Sequence, residues 1–264
     1  MKPFIITAIV SLALFSCTEK KSGNEQGGLQ AIFPKGELGP ADHFTGKAWN
    51  IGLVADAPQQ SIVAIAALTA VGDLEHLKTQ LHTGLDAGLT INEIKEVLVQ
   101  MYAYCGFPRS LNGINTFMNV MKERQAKGIK DTDGKEGAPV TDGAGKYERG
   151  RKMLETLTKT PQVKPAPGFG EFAPRIDAFL KEHLFADIFD NDVLTYQQRE
   201  LATISALAAM PGVAPQLQAH VTMGMNIGIT EGQLKQVFSL IEKHISGQQA
   251  EVANNVLLKI TTNK

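Results

Sequence analysis

From Gln59 onward, the hydrophobic and polar positions of this chain settle into a helical rhythm. Residues 61–71, SIVAIAALTAV, form an apolar run that reads as a helix, broken by Gly72-Asp73. Leu74, Leu77, Leu81 and Leu85 then recur at the 3–4 spacing that marks one face of a second helix. Gly88 suits its C-cap, and Thr90-Ile91-Asn92-Glu93 has the form of a capping box opening the next helix. That helix is expected to end near Gly106-Phe107-Pro108, and another runs from Arg109 to about residue 127. Residues 128–145 have almost no apolar content and read as a linker or exposed loop. Helical texture resumes at KYERGRKMLETLTK and, after the Pro-rich stretch 161–167, at FAPRIDAFLKEHLFADIF. Asn191-Asp192 marks a turn, and Thr195 to Gln198 is a second capping box. Beyond it the pattern predicts helices over about Tyr196–Ala209 and Ala214–Ile227, and a third starting after Gly228-Ile229-Thr230.

The two helical stretches repeat. Sliding the chain by 140 residues without a gap puts Gly72 on Gly212, Leu77 on Leu217, Gly84 on Gly224, Gly88 on Gly228 and Thr90 on Thr230. Ile94 falls on Leu234 and Val97 on Val237. Break, stop, cap and apolar face all recur, which implies an internal duplication. The expected fold is all-α: two homologous helical halves packed about a pseudo-twofold axis.

The start of the chain has a different character. Met1-Lys2 is a short basic beginning, Phe4 to Phe15 is an apolar h-region, and Ser16-Cys17 follows. This reads as a secretory signal peptide over 1–16, too short for a spanning helix. Leu14-Phe15-Ser16-Cys17 resembles a bacterial lipobox, which makes Cys17 the expected lipidation site and 17–30 a polar tether. Residues 31–58, with Phe33, Phe44 and Trp49, read as irregular or briefly extended chain around the first helical unit. The expected organisation is therefore a first unit over 31–127, a linker over 128–145 and a second unit over 146–264.

Composition adds exclusions. A formal net charge of -1 with scattered basic residues leaves no electrostatic footprint for nucleic acid. The two cysteines are Cys17 and Cys105. With Cys17 lipidated no intrachain disulfide can form, and no Cys-x-x-Cys redox pair exists.

Candidate chemistry lies in the second unit. Glu200 is eleven residues before Pro211 and His220 is nine after it. Two antiparallel helices joined by a tight turn oppose residues equidistant from that turn, at ~1.5 Å of rise per residue. The pair can therefore meet, and a carboxylate beside an imidazole raises its basicity, fixes its tautomer and makes a general acid/base. Arg199 is turned by ~100° on the helix and is expected to serve another surface or a subunit contact. The matching residues of the first unit are Gln60 and Gln80, neutral amides that cannot relay protons. His82 reads as a surface residue; His76, one turn before Gln80, is expected on the surface, with a pocket-lining place as the alternative.

At these residues the chain resembles the carboxymuconolactone decarboxylase family, which includes the AhpD-like alkylhydroperoxidases. The resemblance is carried by Arg199-Glu200-Leu201, Ala219-His220-Val221 and Gly228-Ile229-Thr230-Glu231 with Leu234. In the first unit it is carried by Gly88-Leu89-Thr90 and by Tyr104-Cys105-Gly106-Phe107-Pro108 through Asn112. It implies an AhpD-like helical bundle, homo-oligomers (a trimer above all) and a Glu–His site near unit interfaces. The family's peroxidases carry a Cys-x-x-Cys one helical turn before the histidine. Here those places hold Val213 and Gln216, which argues against a dithiol peroxide cycle. Cys105 stands where the family has a small residue and is expected to pack. In the second unit Ser246-Gly247-Gln248-Gln249 replaces the Gly-Phe-Pro-Arg string, so each unit keeps a different half of the motif. This leads to the expectation of one composite site per chain. Glu200 and His220 transfer protons, and Arg109, Tyr104 and Asn112 bind a small carboxylate substrate, with Arg109 as its clamp. The leading function is a lyase or isomerase acting on a carboxylated lactone-like acid without cofactor or metal. An antioxidant peroxidase and a non-catalytic ligand-binding lipoprotein are the alternatives. The expected location is the bacterial cell envelope, with the membrane reached through the lipid anchor alone.

Overall fold

The structure is a computed structural model describing residues 56–139 and 143–262, all within the unit Leu38–Lys264. The expected signal peptide, the Cys17 lipidation site, the tether and the segment 31–55 lie outside the described residues. The described residues are helical and contain no strand. In chain order the helices are α1 (Ala57–Val71), α2 (Leu74–Asp86), α3 (Ile91–Ala126), α4 (Lys146–Thr158), α5 (Phe169–Phe172) and α6 (Pro174–Phe179). A wider π-helical segment continues over Leu180–Ile188, followed by α7 (Tyr196–Ala209), α8 (Ala214–Asn226), α9 (Glu231–His244) and α10 (Gly247–Thr262).

Two helices form the centre, each enclosed and mostly apolar, with Arg199 and Glu200 as the charged exceptions on α7. α1 is buried on every side from Ser61 to Ala70, and α7 from Gln198 to Ala209. Two of the hydroxyls inside are satisfied by their own helix: Thr69 Oγ1 donates to the Ile65 carbonyl at 2.7 Å and Ser205 Oγ to that of Leu201 at 2.6 Å. α1 and α7 pack against each other, α2 against α1, and α8 against α7. α3 also reaches α7, and α9 reaches α1, so each half braces the other's central helix. A single apolar cluster runs through both, with Ile62, Leu68 and Leu98 from one half and Leu201, Ile204 and Val237 from the other.

The punctuation recurs in space as it does in sequence. Gly88 and Gly228 stop α2 and α8 at φ 99° and 101°, a left-handed backbone that residues with a side chain rarely adopt. Thr90 accepts from the Glu93 amide at 3.2 Å while the Glu93 carboxylate accepts from the Thr90 amide at 2.8 Å. Thr230 and Gln233 repeat both bonds at 3.2 and 2.8 Å. α3 is broken at Gly106, φ 81°. Beyond that break Ser110 Oγ donates to the Leu98 carbonyl at 2.8 Å, and a Cβ on Gly113 would meet Leu98 at 3.0 Å, so the two arms fold onto each other. The position 140 residues on is Ser246, where α9 gives way to α10.

The stretch expected as one helical texture after the Pro-rich segment is more varied. Ala173 is non-helical between α5 and α6, and the coil then widens. Lys181 lies fully buried in the wide coil. Its Nζ donates to Asp177 Oδ1 at 2.8 Å, Tyr147 Oη at 3.0 Å and the Val163 carbonyl at 3.0 Å, using all three ammonium donors. Tyr147 in turn donates to Asp177 Oδ2 at 2.6 Å, which locks α4 to this segment. The linker is more firmly held than its composition suggests. Thr132 and Asp133 carbonyls accept from the Ile91 and Asn92 amides at 3.0 and 2.9 Å, and Lys135 pairs with Asp192 at 2.7 Å.

Two predictions follow from this packing. A Cβ at Gly150 would stand 1.7 Å from the Lys181 carbonyl oxygen, whereas Gly232 on α9 has nothing closer than 4.0 Å. Gly150→Ala should cost about 2–3 kcal/mol by overpacking, and Gly232→Ala should be neutral or stabilising by up to about 1 kcal/mol, measured by denaturant unfolding. For Asp177, burial opposes the charge, but Lys181 and Tyr147 outweigh it and hold the carboxyl below its ordinary value of 3.8. Its stabilisation is therefore complete above that value and is lost as pH falls below it. Asp177→Asn should cost about 3–5 kcal/mol at neutral pH by leaving Lys181 without its charge partner. The difference from wild type should shrink in melts recorded below that value.

Candidate functional site

Glu200 sits in the second turn of α7 and His220 in the middle of α8, and the turn between these helices folds one onto the other. His220 Nδ1 lies 2.8 Å from Glu200 Oε2, with Glu200 at 0% exposure and His220 at 7%. A carboxylate only accepts hydrogen bonds, so Nδ1 carries the proton and Nε2, on the far side of the ring, is left as the basic nitrogen. The other carboxylate oxygen, Glu200 Oε1, is buried and has no hydrogen-bond partner among the described residues.

Tyr104, from the first arm of α3, completes the surroundings. Its ring meets the His220 imidazole edge-on, with centroids 5.5 Å apart and planes at 80°. The hydroxyl is buried beside Thr203 and makes no hydrogen bond of good geometry. Burial first, and then the Glu200 charge, push the phenol well above its ordinary range, so it stays a neutral donor. The pair from one half of the chain thus stands against an aromatic wall from the other.

Arg199 corrects an expectation. It is neither on the surface nor free for a subunit contact: its exposure is 0%. Its guanidinium donates to Gln100 Oε1 at 3.0 Å, Glu96 Oε2 at 3.1 Å and the Asn191 carbonyl at 2.6 Å. Gln100 Nε2 returns bonds to the Arg199 carbonyl at 2.8 Å and Thr203 Oγ1 at 2.9 Å. Burial lowers the Arg199 pKa and Glu96 opposes the shift. The turn of α7 that points away from His220 points at α3, and the acceptors wait there. Gln100 was not singled out in the sequence, although an amide between Leu98 and Met101 on a buried helix face needs a partner and could have flagged it. Tyr102, an aromatic on the same helix, packs against a second apolar cluster. It stacks on Phe107 at 4.5 Å and lies 5.4 Å from His183.

The remaining candidates are placed elsewhere. Arg109 lies beyond the Gly106 break and donates to the Ala70 carbonyl at the end of α1, beside Gly72. No hydrogen bond or ion pair links it to Glu200 or His220 among the described residues. Asn112 is exposed on the same arm of α3. His76 is exposed and pairs with Asp73 at 2.7 Å, and His82 lies 3.5 Å from Glu123. Cys105 Sγ donates to the Met101 carbonyl at 3.0 Å. Burial pushes the Cys105 thiol up to about 11, with Arg109 pulling weakly the other way.

An all-helical bundle carrying a buried Glu–His pair between α7 and α8 defines the class, and the comparisons with known proteins give the family. The chain belongs to the carboxymuconolactone decarboxylase family, whose sequence profile matches residues 41–116 and 174–256. It is also similar to an uncharacterized protein of Methanocaldococcus jannaschii, with 29% identity over 69 residues. That match covers 26% of this chain and 64% of the relative, so the chain spans less than two thirds of the relative's length.

The Cys105 environment can be tested directly. In a Cys17→Ser background, labelling of Cys105 by iodoacetamide below pH 9 should be roughly a hundredfold slower in the folded protein than in denaturant, because the thiolate is the nucleophile.

Proposed function

We propose that the protein is an acid/base lyase or isomerase acting on a small carboxylated, lactone-like acid, with His220 Nε2 as the proton carrier. The observation that carries this reading is the buried contact of 2.8 Å between Glu200 and His220. A carboxylate held at Nδ1 stabilises the imidazolium that forms when Nε2 takes a proton, and a site shielded from water strengthens that effect. Loss of carbon dioxide leaves a bonding electron pair on carbon, and the imidazolium supplies the proton that quenches it. In an isomerisation the same nitrogen removes a proton from one carbon and returns it to another. Tyr104, kept neutral, is suited to donate to a substrate carbonyl oxygen as charge gathers there. Arg109 and Asn112 join such a site only through rearrangement of α3 or through a neighbouring subunit. We read the chain as a tandem pair of family units, supported by the recurring caps and breaks, and as a homo-oligomer held at the cell envelope through Cys17.

The peroxidase alternative is disfavoured on two independent grounds. The cysteine pair is replaced by Val213 and Gln216, and the only thiol among the described residues is held protonated by burial.

Assays of wild type, His220→Ala and Glu200→Gln against carboxylated lactones and organic hydroperoxides test this function. On a lactone, His220→Ala should lose about 10²–10⁴-fold in kcat/KM, and Glu200→Gln should lose activity with a shifted pH profile. Equal rates for the three proteins on every substrate would remove the pair from catalysis. Hydroperoxide reduction lost on Cys105→Ser would restore the peroxidase reading.

A further inference from the structure

Behind the Glu–His pair lies a run of buried polar groups that packing alone does not require. Gln100 on α3 and Thr203 on α7 are both at 0% exposure. Their counterparts at the 140-residue interval are Leu240 and Val63, and Val is the residue closest to Thr in shape. Leu240 and Val63 pack into the apolar core, so burial at that place needs neither amide nor hydroxyl. Tyr104 and Glu200 give way there to His244 and Gln60. The set Gln100, Thr203 and Tyr104 therefore occurs only in company with Glu200 and His220.

The direction of each bond follows from what the groups can give and take. A guanidinium has no acceptor, so the Gln100 atom that receives Arg199 Nη1 at 3.0 Å is the carbonyl oxygen, and the other is the amide nitrogen. The two protons of that nitrogen go to the Arg199 carbonyl at 2.8 Å and to Thr203 Oγ1 at 2.9 Å. Thr203 thus accepts at its oxygen and keeps its own proton to give. Thr69, Ser205 and Thr222 each give theirs to the carbonyl four residues back. For Thr203 that carbonyl is the one Gln100 already occupies. Tyr104 stands on the other side, its hydroxyl beside Thr203 and within reach of the Glu200 charge. Glu200 lies three residues before Thr203, one turn away on the same face of α7. The Tyr104 hydroxyl and Glu200 Oε1 are both buried and without a hydrogen-bond partner among the described residues. One is a donor and the other only an acceptor, and leaving both unmade in a dry core is costly.

We propose that Thr203, aligned by Gln100, is a positioning residue: it donates to Tyr104 Oη and thereby turns the phenolic proton onto Glu200 Oε1. The carboxylate is then held at both oxygens, by His220 Nδ1 on one and by Tyr104 on the other, which fixes the orientation of the imidazole. In the acid/base reading above, on which this last step rests, a substrate carbonyl draws the phenol's hydrogen bond away from Glu200. The carboxylate is left to bind the imidazole more strongly as Nε2 takes up its proton. Gln100 and Thr203 act on the reaction through Tyr104 alone.

The test follows the low-field NMR signal of the His220 Nδ1 proton in the full chain carrying Cys17→Ser, assigned by its loss in His220→Gln. Tyr104→Phe removes the donor to Oε1, leaves Glu200 a stronger acceptor and should move the signal downfield. Thr203→Val, which copies Val63, should move it the same way by less, and Thr203→Ser should leave it in place. In the Tyr104→Phe background Thr203→Val should add no further shift, since the hydroxyl it acts through is gone. A further shift of the same size there would overturn the proposal, because a purely structural effect of Thr203 persists without the phenol. So would a signal that either Tyr104→Phe or Thr203→Val leaves unmoved. On a lactone, Thr203→Val should lower kcat more than it raises KM. A wild-type protein inactive on every lactone, with the NMR shifts present, would overturn the lyase reading while supporting this chain of bonds.

Discussion

The arrangement of this protein depends on what it takes to keep charge inside a helix enclosed on all sides. α7 carries Arg199 and Glu200 next to each other, both at 0% exposure. Neither charge is tolerable there without partners. The 100° step of the helix points them in different directions, and each recruits its own neighbour. Arg199 binds Glu96 and Gln100 and so fixes α3 against α7. Glu200 binds His220 and so fixes α8. Because Tyr104 lies one turn beyond Gln100, the same clamp sets the phenol against the imidazole. The site is therefore a consequence of how the core satisfies its charges.

The other half of the molecule shows what happens where those charges are absent. At an interval of 140 residues, Arg199 corresponds to Gln59, Glu96 to Gln236, Glu200 to Gln60 and His220 to Gln80. Amides replace ions throughout. The Oε1 atoms of Gln59 and Gln236 are both buried without a hydrogen-bond partner among the described residues. The bundle keeps its packing on that side, since α1 needs no ion to be buried, and the Glu–His pair stays on one side alone. The Glu–His pair thus lies on α7 and α8 alone, with the aromatic wall beside it taken from α3.

The region from α4 to the wide coil adds buried charge to its apolar packing. It folds around a buried ammonium, carboxylate and phenol as well as an apolar cluster that includes Met153, Leu157, Phe185 and Phe189. Phe169, Phe172, Ile176 and Phe179 nonetheless face outward.

The sequence by itself determined the helices, their caps and their order, because these rest on local chemistry: periodic apolar positions, hydroxyl caps and glycines where a left-handed turn is needed. It also determined that Glu200 and His220 could meet, since helical rise and a tight turn leave little choice. Three features escaped it. Arg199 looks like a surface residue in sequence, and only the approach of α3 gives it acceptors. Tyr104 and Arg109 share a motif and lie five residues apart, yet the break at Gly106 sends one to His220 and the other to the end of α1. Asp177 and Lys181, spaced as an ordinary exposed helical pair, are enclosed because the glycine surface of α4 admits the backbone of the wide coil. In each case the deciding partner comes from a distant part of the chain. Local pattern fixes which elements form and which faces are apolar, but which polar groups become neighbours is settled only when those faces close.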